Sequence, residues 1–249
     1  MSEWDDDIAA LDMSDVEKNG LQVYRNYTKA FERDQAKKFA IEVNSEYHDV
    51  SRLNKVCDAI ASDDERLVPV IACAFADEAL DEMYKREIPK GIPGGRDSLF
   101  SGYGPFSSLS KRIQVAYAFG WVSEDILKDM DSLRKVRNKF SHLWDHESLS
   151  GYAEKAPTSD ITPIETMFKE HEERLLLAGV EKLDALGRLR IRTIWLLGRL
   201  YYESLLYPLA LKRRLQPYVV LYGEHQPELL SQIAGVCSEF TRKVLREKI

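Results

Sequence analysis

Arg137, Asn138 and His142 bring a guanidinium, a carboxamide and an imidazole into six residues of the run Leu133-Arg134-Lys135-Val136-Arg137-Asn138-Lys139-Phe140-Ser141-His142. A guanidinium binds anions in a fixed fork, and an imidazole gains or loses a proton near neutral pH. At about 100° per residue, Ile126, Leu133, Val136, Phe140 and Leu143 form one apolar stripe, which predicts the end of a helix with that face in the core. Asn138 and His142, at i and i+4, share a polar flank. Arg137 precedes His142 by five residues, roughly 140° around the helix, and lies on the other border of the stripe. A straight helix therefore presents Asn138 with His142, and joining Arg137 to His142 demands a second protomer or a bent helix end. In the purely structural alternative, Arg137 pairs with Asp77, Glu78 or Asp81 on a neighbouring helix, while Asn138 and His142 satisfy backbone groups at a helix C-terminus.

Other constellations carry weaker chemistry. His142 and His146 have i, i+4 metal spacing, but the catalytic Glu of HExxH is missing, so no metal is expected. Asp77, Glu78, Asp81 and Glu82 form two i, i+4 acidic pairs without a Glu-x-x-His partner and read as a solvated or arginine-pairing face. Gly91, Gly94, Gly95, Gly102 and Gly104 lack both a P-loop Lys-Ser/Thr and a preceding strand, so no nucleotide or other cofactor is expected. Arg188, Arg192 and Arg199 recur beside Trp195, Tyr201, Tyr202 and Tyr207, a pattern able to hold single-stranded nucleic acid or a partner. Aromatics at helical spacing more often form core or a subunit interface, and that reading is favoured.

These residues need a helical scaffold, and nearly every segment supplies one: apolar residues recur at three and four, with few alternating β-branched runs. The predicted fold is an all-α multi-helix bundle with a central hairpin at about 106–142 and a C-terminal helical extension. An acidic lead-in closes at Asn19-Gly20, and helices follow near 21–43 and 49–61. The next runs from the capping-box-like Ser62-Asp63-Asp64-Glu65 to about Glu87. Three prolines and five glycines make 88–105 an irregular loop, the segment expected to be most mobile, with Phe100, Tyr103 and Phe106 suited to a lid. Gly120 stops the hairpin's first helix, and Ser123 starts its second. Further helices are expected near 164–182, 184–215 and 227–247. The expected domains are an acidic N-terminal arm (1–50), a helical domain (51–175) and a C-terminal extension (176–249).

With 249 residues, 44% hydrophobic and 31% charged, the chain has ordinary globular composition. Cys57, Cys73 and Cys237 form neither a disulfide framework nor a zinc pattern, so a reducing cytoplasm is expected. The acidic N-terminus does not resemble a secretory signal. The longest apolar run, 194–211, is broken by Arg199 and Glu203, so no membrane span is expected. The net charge of −6 argues against broad attraction to nucleic acid. Residues 1–17 hold seven acids and no base, whereas 182–249 hold twelve Lys/Arg against six Asp/Glu, consistent with a basic face or an acidic arm on a basic tail.

The stretch Gly104-Pro105-Phe106-Ser107-Ser108-Leu109-Ser110-Lys111-Arg112-Ile113-Gln114-Val115-Ala116-Tyr117-Ala118-Phe119-Gly120-Trp121-Val122-Ser123, followed by Leu133 to His142, resembles the MtlR family. That family carries a Ser-x-Arg-Ile-x-x-Ala-Tyr-Ala-x-Gly helix and then Ile-Arg-x-Ile-Arg-Asn-x-Phe-Ala-His. The likeness is specific over about 104–149 and looser upstream to about residue 63. It implies an all-helical cytoplasmic regulator of the mannitol-repressor type, acting on transcription without an obvious DNA-binding motif; the expectation for this chain is a homo-oligomer that works through a protein partner or small effector. Ala116, Gly120 and Ile126 have helix-turn-helix spacing, yet the second helix opens with Glu124, Asp125 and Asp129, which would point carboxylates at phosphates. Direct, specific DNA reading is therefore not expected. The Arg-x4-His pattern also resembles HEPN-type ribonucleases, in which such sites meet across a helical dimer. That resemblance implies a metal-independent cleavage of RNA in which His142 transfers a proton, Arg137 stabilises phosphate charge and Asn138 orients them.

Overall fold

The computed structural model describes residues 4–62, 65–141 and 183–247. Every regular element among them is helical: α1 Asp6–Ala9, α2 Asp15–Asn44, α3 Ser51–Ser62, α4 Val68–Glu87, α5 Leu109–Ala118, α6 Glu124–Ser141, α7 Ala185–Lys212, α8 Pro217–Tyr222 and α9 Glu228–Glu247, with short 3-10 turns at Glu65–Leu67 and Arg96–Leu99. The chain is thus an all-α multi-helix bundle, and α5 and α6 are the central hairpin. None of the described helices is long and apolar enough to cross a membrane. His142, His146, residues 63–64 of the expected capping box and the expected helix at 164–182 lie outside the described residues.

The chain divides into two compact units, whose boundaries differ from 1–50, 51–175 and 176–249. One comprises the described residues of Met1–Glu46 and Ala210–Glu228, the other those of Tyr47–Leu209 and Leu229–Ile249. The C-terminal helices therefore share a core with the hairpin up to Leu209 and again from Leu229. The physical reason is that α7 is buried on every side: Leu189, Ile191, Ile194, Trp195, Leu196, Leu197, Leu200, Tyr202 and Leu206 are all buried, and so are its charged Arg190, Arg199 and Glu203. A helix with apolar residues all round must be enclosed by others.

In that larger unit, α6 buries Ile126, Met130, Leu133 and Val136, and α9 buries Leu229, Ile233, Val236, Cys237, Phe240 and Val244, each a stripe at three- and four-residue spacing. Each such side chain contributes about 1.5–3 kcal/mol on leaving water. Gly198 lets α7 and α9 approach closely, since a Cβ there would sit 2.6 Å from Cys237 Sγ. Polar ties register the crossing helices: Trp195 Nε1 donates to Thr241 Oγ1 at 3.0 Å, Tyr201 Oη to the Asp49 carbonyl at 2.8 Å, and Arg190 to the Ile60 carbonyl.

The Gly/Pro-rich segment between α4 and α5 is pinned rather than loose. Phe106 is buried with its ring stacked on Tyr84 at 4.2 Å, Phe100 lies 5.5 Å from Phe106, and Arg96 donates to the Lys85 carbonyl at 2.7 Å. Gly104 is required because a Cβ there would lie 2.3 Å from the Leu99 carbonyl oxygen. Two of the three aromatics expected to form a lid, Phe100 and Phe106, are packing anchors, and only Tyr103 is fully exposed.

In the smaller unit, α2 starts six residues before the expected 21. Ser14 and Glu17 form a reciprocal capping box there, and Asn19-Gly20 is carried inside the helix. One glycine costs a helix about 1 kcal/mol, too little to end thirty residues of otherwise good pattern. The acidic arm lies on α2, not on the basic tail. Arg25 grips the Asp7 carboxylate at 2.6 and 2.7 Å and reaches Asp5 at 3.0 Å, Lys29 meets Asp5 at 3.2 Å, and Trp4 Nε1 donates to Asn19 at 2.6 Å. At the other end α2 buries Ala36, Phe39, Ala40 and Val43 and packs with α8, where Arg33 meets Glu224 at 2.9 Å.

The Arg25 guanidinium holds the Asp7 carboxyl down to about 2, and Asp5 is lowered by the same arginine and Lys29. A depressed carboxylate stabilises the fold above its unfolded value near 3.8, and that contribution is lost as pH falls towards 2. Amide hydrogen exchange of residues 5–12 is expected to accelerate, relative to α4, between pH 4 and 2. In Arg25→Gln the arm should already exchange fast at pH 6, with no such step.

Candidate functional site

The chemistry-bearing residues sit at the two ends of α6, so the site begins with what fixes that helix. Gly120, at φ 68°, reverses the chain after α5, and Ser123 caps the next helix. The Ser123 N–H donates to Glu203 Oε2 at 2.6 Å and its hydroxyl to Glu203 Oε1 at 3.0 Å. Arg199 completes the cluster, with Nε on Glu203 at 2.7 Å, Nη2 donating to the Ser123 hydroxyl at 2.9 Å and Nη1 on Asp125 at 3.2 Å. Glu203 is 0% exposed and Arg199 4%. Burial pushes the Glu203 carboxyl up, opposed by the Arg199 charge and the Ser123 donors.

At the other end, Arg137 directs Nε and Nη2 to Asn138 Oδ1 at 3.1 and 2.8 Å, and both residues are half-buried. The long arginine stem crosses the roughly 100° between adjacent positions, so Arg137 reaches the flank that Cα geometry alone denied it. Arg134 folds back on Asp131 at 2.7 Å. The pair stands beside α4. Burial raises the Cys73 thiol to about 11, and the Arg137 and Arg134 charges partly offset that rise.

The expected pairing of Arg137 with Asp77, Glu78 or Asp81 is not found, because other arginines hold those acids. Arg112 meets Asp77 at 2.8 Å and Asp81 at 3.1 Å, and Arg52 meets Glu78 and Glu82, each at 2.6 Å. Among the described residues Arg137 has no carboxylate partner. The structure thus brings Arg137 and Asn138 together; His142 lies outside the described residues.

Arg112 is the residue that sequence reasoning passed over. It is 8% exposed, donates to the Phe106 carbonyl at 2.8 Å, and its own carbonyl accepts from Tyr84 at 2.6 Å. Its signal was available: residue 112 lies three after Leu109 and four before Ala116, on the apolar face of α5.

The suggested nucleic-acid surface of Arg188, Arg192 and Arg199 needs correction at Arg199. Its guanidinium is consumed inside the bundle, and Trp195, Tyr202 and Tyr207 are buried, so these groups have no free faces for bases to stack on. Arg188 is half-buried and donates to the Leu183 carbonyl, and Arg192 is half-buried. Among the described residues no group of three or more His, Cys, Asp or Glu could hold a metal ion. Compared with known proteins, the chain matches no family model, no curated protein and no solved structure.

Removing the Glu203 carboxylate leaves Arg199 charged and buried, a defect worth about 3–5 kcal/mol. Glu203→Ala is expected to lower the unfolding free energy obtained from urea denaturation by about that amount, 3–5 kcal/mol. Arg199→Met with Glu203→Leu should lose much less, and an equal loss would show that shape rather than charge dominates.

Proposed function

We propose that this chain is a helical regulator of the MtlR type, a transcription-related repressor that acts as a cytoplasmic homo-oligomer through a protein partner or small effector. The observation that carries this reading is the anchored N-terminus of α6. Its first turn is tied inward by Ser123 to Glu203, while the Glu124 and Asp125 carboxylates stay on the outside, bridged to Lys128 and Arg199. A recognition helix must bring donors or cations to base edges and phosphates, and this one offers fixed carboxylates. Exposed Tyr103, Tyr117 and Phe119 suit protein contacts better, aromatic surface being enriched where proteins meet.

In an in vitro selection from random duplex DNA at low salt, the purified protein alone is expected to enrich no sequence. Enrichment of a defined operator, with nanomolar binding of it, would overturn this reading.

A second reading has one specific observation in its favour, the half-buried Arg137 held by Asn138 with no carboxylate among the described residues. Such a guanidinium remains able to take a phosphate. In the HEPN-like alternative Arg137 stabilises phosphate charge, Asn138 orients it, and His142 moves the proton at a ribose hydroxyl or leaving oxygen. RNA cleavage by the wild type in the presence of chelator, lost by at least about a hundredfold in both His142→Ala and Arg137→Ala, is the expected signature. Equal, absent cleavage across varied RNAs would eliminate it.

A further inference from the structure

We infer that the basic stripe along α2 is the docking site for an acidic, apolar-anchored segment of a partner protein, and that the N-terminal arm is its displaceable stand-in. The inference rests on the partner-mediated regulatory reading and gives that partner a chemistry.

Arg25, Lys29 and Arg33 recur at every fourth residue, so one face of α2 carries three cations in a row. Each is met by a carboxylate from elsewhere in the same compact unit: Arg25 by Asp7 at 2.6 Å and Asp5 at 3.0 Å, Lys29 by Asp5 at 3.2 Å, and Arg33 by Glu224 at 2.9 Å. Water reaches all of these pairs, so each contributes little and is screened by salt. Ile8 is the arm's one buried apolar side chain, while Leu11 and Met13 stay exposed. The arm is therefore held by weak, replaceable contacts.

It also leaves space that closely packed chains do not leave. An open hollow of about 440 Å³ lies between arm and helix, walled by Ile8 and Leu11 of the arm and by Leu21, Tyr24 and Thr28 of α2, with Arg25 and Lys29 also lining it. A second, of about 280 Å³, lies between α2 and the end of α8, where Lys29 and Arg33 meet Ala36, Tyr218 and His225. Lys29 borders both, so hollows and cations follow one line along the helix.

The arm identifies the chemistry that fits this line. In Trp4-Asp5-Asp6-Asp7-Ile8-Ala9-Ala10-Leu11, carboxylates stand next to apolar side chains. Arg25 takes the Asp7 carboxylate in a fork, Lys18 donates to the Ala9 carbonyl at 2.8 Å, and the Asp5 N–H donates to Gln22 at 2.8 Å. Carboxylates and main chain are thus both recognised, as in the capture of a peptide. A segment of the same kind, with a bulkier residue in the place of Leu11 and a further acid reaching Arg33, makes these contacts and fills what the arm leaves open. Charge complementarity selects it over a nucleic acid, since the exposed Asp34 and Glu224 stand beside the stripe and would face phosphates.

The test uses the full chain and a fluorescein-labelled synthetic peptide of residues 4–13, read by fluorescence anisotropy. In a variant with Asp5→Ala, Asp7→Ala and Ile8→Ser the arm has lost its anchors. The peptide is expected to bind that variant at least about tenfold tighter than the wild type, whose groove the resident arm keeps occupied. A peptide carrying Leu11→Trp should bind the variant about fivefold tighter than the native peptide, by filling the larger hollow. Adding Arg25→Gln and Lys29→Gln to the variant should abolish binding, with its helix content retained by circular dichroism. Equal affinity for wild type and arm variant overturns the inference, as does binding that survives the loss of Arg25 and Lys29, or no binding of either peptide at millimolar concentration. So does displacement of the peptide by an oligothymidylate, which makes the stripe a nucleic-acid surface. None of these outcomes touches the selection from random DNA, so failure of the docking site and failure of the repressor reading are told apart.

Discussion

A single buried carboxylate sets the geometry on which the larger unit depends. Glu203 accepts from the Ser123 backbone, the Ser123 hydroxyl and Arg199, so one side chain on α7 fixes where α6 begins. A carboxylate without water is tolerated only when its lone pairs are filled, and here the filling groups come from two helices. The hairpin turn at Gly120 thereby has one allowed outcome: α6 leaves it with its apolar stripe against the core. Everything displayed at the far end of α6, including Arg137 and Asn138, inherits its direction from that contact.

A second buried charge does the same for the loop. Arg112 ties α5 to α4 through Asp77 and Asp81 and holds the Phe106 carbonyl, while Phe106 stacks on Tyr84. Three prolines and five glycines remove regular structure from 88–105, but they do not remove packing. Aromatic anchors and one arginine supply what hydrogen-bonded ladders supply elsewhere. Low secondary structure and mobility are separate properties, and only the first follows from Gly and Pro content.

Helix type and the hairpin were legible in the sequence because they follow from local periodicity and from Gly120 and Ser123. The start of α2 was legible too, in Ser14-x-x-Glu17, but Asn19-Gly20 competed with it, and a strong cap outweighs one glycine. The unit boundaries were not legible, since they depend on what α7 packs against. The opposite charges Arg199 and Glu203, at i and i+4 within an apolar run, were the available clue: such a pair is buried when the helix around it is. Partner choice among charges was the least readable feature. Asp77 and Asp81 both meet Arg112, a pairing decided by the crossing of α4 with α5, a tertiary fact.

That allocation of partners also explains why the α6 end retains chemical potential. Four acids line α4, and the geometry assigns Asp77 and Asp81 to Arg112 and Glu78 and Glu82 to Arg52. Arg134 turns to Asp131 of its own helix. Among the described residues Arg137 meets a neutral carboxamide, which orients its fork without cancelling its charge. An arginine neutralised by a carboxylate would contribute structure alone. One oriented by an amide keeps most of its attraction for an anion while spending little conformational entropy to bind it, because the rotamer is already set. Arg112 and Arg52 take the acids of α4, and among the described residues Asn138 is what sets the direction of the Arg137 fork.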